Sequence, residues 1–217
     1  MSHLTKKLLI AVIGACAMVA HADTKLGPYE PVTDARLINP EAKNWLMYRG
    51  NYQGWGYSPL EKINTGNVKK LSLAWSFATG VTEGHQAPPI VNNGYMYVTT
   101  PNGQVIALNA VTGEELWRYK KEIPADLLML HNTNRGVALY GDKVYVGTVD
   151  SHLIALDAKT GKELWKFNTG SGISAAPMTY TLDGKQYLAV VSGRTQSIPA
   201  FFGALGEKMV AASPEGG

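Results

Sequence analysis

An all-β fold built from repeated blades is what this sequence predicts, and three observations predict it. An eleven-residue motif occurs twice, as Ala107–Trp117 (ALNAVTGEELW) and Ala155–Trp165 (ALDAKTGKELW). The copies are identical at eight of eleven positions and lie 48 residues apart. A period in the forties that carries strands and a recurring tryptophan is how propeller blades read in sequence. Short β-prone runs recur at matching offsets ahead of each motif, and 23 glycines suit a chain rich in tight turns.

The N-terminus reads as an address rather than as structure. Lys6 and Lys7 precede an apolar stretch, Leu8 to Ala20, and Ala20-His21-Ala22 gives a small-x-small cleavage pattern, so residues 1–22 are expected to be a signal peptide. The stretch is too short to span a bilayer as a helix, and no other segment comes close. Ile13-Gly14-Ala15-Cys16 loosely resembles a lipid-attachment box, a competing reading that the better cleavage site further on disfavours. Cys16 is the only cysteine and would leave with the signal, which removes disulfides, thiolate chemistry and Cys-x-x-Cys-His haem attachment. Without Lys6 and Lys7 the charges are 18 basic against 17 acidic, a net of +1 that gives no reason to expect nucleic acid or an acidic membrane surface.

After residues 23–70, an N-terminal segment, residues 71–217 read as a partial propeller. Blade 1 is expected at about 86–120 and blade 2 at about 135–168, each with an inner strand (Ala87–Val91, Gly136–Tyr140) and a second strand (Tyr95–Thr99, Val144–Thr148). Within each motif, Asn109 or Asp157 can accept from amides two or three residues on. Thr112-Gly113 and Thr160-Gly161 supply the turn, where glycine takes positive φ. Ala107 and Ala155 stand on the incoming strands. Trp117 and Trp165 stand on the outgoing ones, each expected to pack against a neighbouring blade. A third unit at about 173–217 has Met178–Leu182 and Gln186–Ser192 around the turn Asp183-Gly184-Lys185, but no tryptophan-ended motif. Leu71–Thr79 contains Trp75 in a setting like that of Trp165, and is expected as an outgoing strand that completes the third unit. Three blades are fewer than the roughly four to eight that close a ring. The ring is therefore expected to be incomplete, with open flanks that favour self-association.

The stretches NWLMYRGNYQGWGYSPLEKINTGNVKKLSLAWSFATG, QAPPIVNNGYMYVTTPNGQVIALNAVTGEELW, TNRGVALYGDKVYVGTVDSHLIALDAKTGKELW and TGSGISAAPMTYTLDGKQYLAVVSG resemble the pyrroloquinoline quinone (PQQ)-dependent methanol and ethanol dehydrogenases. The resemblance implies periplasmic eight-bladed propellers that oxidise small primary alcohols. They hold PQQ beside a calcium or lanthanide ion near the axis and pass electrons to a cytochrome c. Asn44–Trp165 resembles the N-terminal part of such proteins and Asn168–Gly217 their C-terminal part, as though the middle blades were absent.

On that resemblance Arg135 matches an arginine that contacts the quinone, and its guanidinium suits the carboxylates and carbonyls of PQQ. Gln86 stands where methanol dehydrogenases carry a cofactor-contacting Glu, an amide in place of a carboxylate. Thr148, beside Asp150, is a third cofactor candidate. His85, His131 and His152 are too scattered for a metal-ligand spacing. Met129-Leu130 stands where many members carry adjacent cysteines. The family's metal ligands, catalytic Asp and quinone-stacking Trp fall in the absent blades, and the spacing of Asp150 does not reproduce that Asp. Two readings stay open: a PQQ-dependent alcohol dehydrogenase, or a non-catalytic remnant or scaffold module.

Overall fold

The computed structural model describes residues 26–82, 84–125, 127, 133–193 and 202–211. Two four-stranded antiparallel sheets of equal design form its centre. The first is β1 (Ile90–Asn92), β2 (Tyr95–Thr100), β3 (Gln104–Asn109) and β4 (Glu115–Lys120). The second is β5 (Val137–Tyr140), β6 (Lys143–Gly147), β7 (His152–Asp157) and β8 (Glu163–Asn168). Each runs from inner to outer strand in sequence order, the arrangement of a propeller blade. A third sheet has two strands, β9 (Met178–Leu182) and β10 (Lys185–Ala189). Two helices, α1 (Asp34–Ile38) and α2 (Ala204–Ala211), and a 3₁₀ turn at Val68–Lys70 complete the regular structure.

The repeated motif has the same geometry in both copies. Ala107 pairs with Trp117 and Ala155 with Trp165, and each pairing carries a register shift at the next residue. A bulge at the same place in both blades sharpens the local twist. Asn109 Oδ1 accepts from the Val111 and Thr112 amides at 2.9 and 3.3 Å, and Asp157 Oδ1 from Lys159 and Thr160 at 3.0 and 2.9 Å. Gly113 and Gly161 follow at φ +75° and +71°, as the Asx-turn reading requires.

Between blades 1 and 2 lies the core. Tyr97, Val105, Ala107 and Trp117 pack against Val144, Val146, Ile154 and Leu156 in one buried cluster, which Val32, Leu37 and Leu46 of the N-terminal segment close over. That segment is a strap. Val32 bridges to Gly141 at the β5–β6 turn, Trp45 bridges to Val91 on β1, and the Thr181 hydroxyl of β9 donates to Asp34 at 2.7 Å. Arg36 is its clasp, donating to Glu41, Asn92 and the carbonyls of Glu30 and Pro31. The strap crosses the end of the blades that carries the β1–β2 and β5–β6 turns. The opposite end is left to the links between blades.

Two expectations need correction. Residues 71–79 lie in no strand, and β9 and β10 form their sheet without them. Trp75 instead packs on blade 1: a Cβ at Gly113 would fall 2.6 Å from its ring, and its indole N–H donates to the Ala110 carbonyl at 3.3 Å. Trp165, expected to pack against a neighbouring blade, is 47 % exposed, because β9 and β10 reach only the inner part of blade 2.

Candidate functional site

The starts of the three inner strands converge at one point. An ideal Cβ on Gly136, which has φ +121°, would lie 3.9 Å from the Cβ atoms of both Ala87 and Ala176, and 4.0 Å from Pro88. Ala87-Pro88 leads into β1, Gly136 into β5 and Ala176-Pro177 into β9. Each lies within three residues of the start of the first strand of its own unit, so the inner edges of the three units come together here. A methyl group here would sit at ordinary van der Waals distance from both segments, so it is the positive φ that favours glycine.

Gln86 and Arg135 each stand one residue ahead of this meeting point, so the fold brings both to the same axial end. Both side chains are exposed. Arg135 has no ion-pair partner among the described residues, which leaves five N–H donors available to an acidic or carbonyl-bearing ligand. Its backbone is held from below: the buried Asn134 amide donates to the Gly147 carbonyl at 2.8 Å and accepts from the Gly136 N–H at 2.8 Å. That Asx turn fixes where Arg135 leaves the blade. Sequence reasoning passed over Asn134, although Asn-x-Gly was the signal for it.

Thr148 has a different setting. It is buried, its hydroxyl donates to Asp150, and it accepts from the His152 amide at 3.2 Å. Asp150 is the hub of the group, with a side chain only 7 % exposed. Lys121, at the end of blade 1, donates to Asp150 Oδ2 at 2.7 Å, and His152 Nδ1 lies 3.2 Å from the same oxygen without a hydrogen bond. Burial alone would push the Asp150 carboxyl up. The hydrogen bonds from Lys121 and Thr148 and the charges of Lys121 and His152 outweigh it and hold the carboxyl below its ordinary value. Asp150 is thus a committed carboxylate that ties blade 1 to the β6–β7 turn.

The histidines stay apart. His85 Nε2 is 3.0 Å from the Thr79 hydroxyl and His152 sits beside Asp150, while His131, like Met129 and Leu130, falls outside the described residues. Among the described residues no group of three or more His, Cys, Asp or Glu side chains is placed to hold a metal ion. Arg135 and Gln86 offer donors and an amide acceptor that suit one edge of a quinone bearing carboxylates. The polar axial end fits part of such a group, without a metal donor set.

Four-stranded blades about a common axis, with a polar end at the inner-strand starts, define a propeller-type protein. The model of the PQQ β-propeller domain of glucose, ethanol and alcohol dehydrogenases matches residues 45–162 and 141–188, more than half of the chain, and the protein belongs to this family. It is 40 % identical over 190 residues to the quinoprotein alcohol dehydrogenase PedH of Pseudomonas putida, covering 83 % of this chain and 30 % of that one. It is also 40 % identical over 104 residues to the dehydrogenase subunit of a quinone alcohol dehydrogenase of Gluconobacter oxydans, covering 46 % and 14 %. Among solved structures, the quinohemoprotein alcohol dehydrogenase ADHIIG of Pseudomonas putida HK5 superposes with a TM-score of 0.66 at 36 % identity, covering 75 % of this chain and 25 % of that one. A europium-containing methanol dehydrogenase does so with 0.64 at 35 %, covering 73 % and 29 %. The chain thus spans 14 to 30 % of the length of these two curated relatives.

Proposed function

We propose that this chain supplies one face of a PQQ site for the oxidation of small primary alcohols, and is not by itself a complete dehydrogenase. The observation that supports the reading is the approach of Gly136 to Ala87, the residues that directly follow Arg135 and Gln86. Arg135 would hold the quinone by charge-assisted bonds to its carboxylates and carbonyls, and Gln86 would add a neutral amide contact. Thr148 would act from behind by keeping the β6–β7 turn and Asp150 in place. Bound PQQ, with its calcium or lanthanide ion, supplies the two-electron acceptor in such proteins. Asp150 does not take the alcohol proton in this reading, because Lys121 and Thr148 already engage it. The signal-like N-terminus supports export to the periplasm, where a cytochrome c would be the electron acceptor. Among the described residues no helix is long and apolar enough to cross a membrane.

A non-catalytic binding module is the second reading, favoured by the two-stranded third sheet and the exposed Trp165. One set of measurements separates them. Titration of the purified protein with PQQ, with and without calcium or lanthanum, is expected to show saturable binding with little dye-linked oxidation of ethanol or methanol. Arg135→Ala removes charge-assisted bonds worth about 1.5–3 kcal/mol and is expected to weaken binding roughly tenfold or more. Turnover like that of a full-length relative would overturn the claim of incompleteness. Absence of quinone binding would leave the binding-module reading standing.

A further inference from the structure

Arg135 stands at the apex of a small closed loop. Asn134 is buried, and its side-chain oxygen accepts from the Gly136 N–H at 2.8 Å, so the residues on either side of Arg135 are joined across it. Gly136 completes the loop at φ +121°, a conformation that side chains rarely adopt. The same Asn134 amide donates to the Gly147 carbonyl at 2.8 Å. In the β5–β6 ladder Val137 is the first residue, opposite Val146, so Gly147 has no β5 residue across from it. The Asn134 side chain fills that place and carries the ladder one step further, to the foot of Arg135.

The anchor is itself fixed. A Cβ at Gly147 would overlap Cγ2 of the fully buried Ile173, and the Ile173 N–H donates to the Thr148 carbonyl at 3.0 Å. Gly147 is therefore held between Asn134 and the link that leads to the third unit. Arg135 itself is exposed, on a long side chain that loses freedom when it engages a ligand. A backbone fixed beforehand leaves less to be ordered at that moment.

We propose that Asn134 is a positioning residue for the quinone: it sets the direction in which the Arg135 guanidinium is offered to the carboxylates of PQQ, without touching the cofactor. The proposal rests on the reading of this end as one face of a quinone site. Asparagine suits the task because its oxygen makes the turn while its NH₂ makes the tie to β6. Serine can remake the turn through its hydroxyl, more weakly, but has no amide to reach the strand.

The test measures PQQ affinity of the full chain by isothermal titration with no alcohol present, so turnover plays no part. Asn134→Ala is expected to weaken binding about fivefold, the worth of roughly one hydrogen bond. Made in Arg135→Ala protein, the same substitution should change affinity by less than about twofold, because no guanidinium is left to place. Asn134→Ser should recover part of the loss, and it serves in the same cycle if the alanine variant does not fold. Gly184→Ala, at the turn between β9 and β10, controls for general destabilisation and should leave the affinity unchanged. In hydrogen exchange the Gly136 amide should be slow in the wild type and about tenfold or more faster in Asn134→Ala. An equal loss of affinity in both backgrounds would overturn the proposal and leave the quinone reading intact. So would no loss from Asn134→Ala while Arg135→Ala weakens binding. Wild-type protein that binds no PQQ would overturn that reading, and this proposal with it.

Discussion

Trp117 and Gly161 are in direct contact across the boundary between the two blades. A Cβ on Gly161 would lie 2.5 Å from Trp117 Cε3, and the indole N–H reaches past the turn to the Ala158 carbonyl, which also accepts from Tyr97 at 2.9 Å. The buried Tyr97 hydroxyl, whose ionisation burial pushes far up, is satisfied as a neutral donor. One carbonyl of one turn therefore closes the polar side of the interblade core.

Gly161→Ala is expected to destabilise the protein by about 2–4 kcal/mol, from overpacking added to a positive φ. Gly184 has the same φ of +71° but open space around it, so Gly184→Ala isolates the backbone cost of about 1 kcal/mol. Urea unfolding of the two variants checks the difference; equal losses would show that the indole contact contributes nothing.

The tryptophans should rank by what covers them. Trp117→Ala is expected to cost about 3–5 kcal/mol, as for a buried aromatic in a packed core. Trp165→Ala should cost no more than about 1 kcal/mol, because its ring is already half in water. Trp75→Ala should fall between. A Trp165 loss equal to that of Trp117 would mean that blade 2 has a covered outer face in solution.

Asp150 and Lys121 tie the blades at the axial end. Asp150→Asn leaves the ammonium group with a weaker partner and is expected to cost about 1–3 kcal/mol near neutral pH. The carboxyl is depressed in the folded state, so its contribution is full above the unfolded value near 3.9 and is lost as pH falls through the lower folded value. Wild type and variant should therefore converge in acid. Unfolding free energies measured from pH 7 down to pH 3 test this, and a gap that stays constant would refute the linkage.

The strap should loosen in acid as well. Hydrogen bonding from Arg36, helped by Asn44 and opposed by burial, brings the Glu41 carboxyl down to about 2. Its stabilisation is present above the usual carboxylate range and fades as pH falls from about 4.3 towards 2. Pepsin should cleave the strap progressively faster across that window. Glu41→Gln should be cut readily throughout it, and an unchanged pH profile in that variant would rule out the clasp as the cause.

Much of the fold was legible in the sequence. Motif spacing placed both hairpins, the Asx and glycine positions placed their turns, and Met178–Leu182 coincides with β9. These features are local, fixed by hydrogen bonds a few residues apart and by positive φ at glycine. The family resemblance, and not the residues' own pattern, named Arg135, Gln86 and Thr148, and it gave no sign that Thr148 is buried beside Asp150 while Arg135 and Gln86 are exposed. The meeting of Ala87, Gly136 and Ala176 joins positions 49 and 40 residues apart, and Asp150 finds Lys121 from another blade.

The tryptophan motifs divide the two kinds of information most clearly. Sequence alone determined the hairpin, the turn and the strand on which each tryptophan stands, since eight of eleven residues are shared. Tertiary structure alone decided that Trp117 is 8 % exposed and Trp165 47 %. The local chemistry is the same in both. Burial depends on the next unit in space: blade 2 presents its glycine turn to Trp117, and among the described residues no such turn meets Trp165.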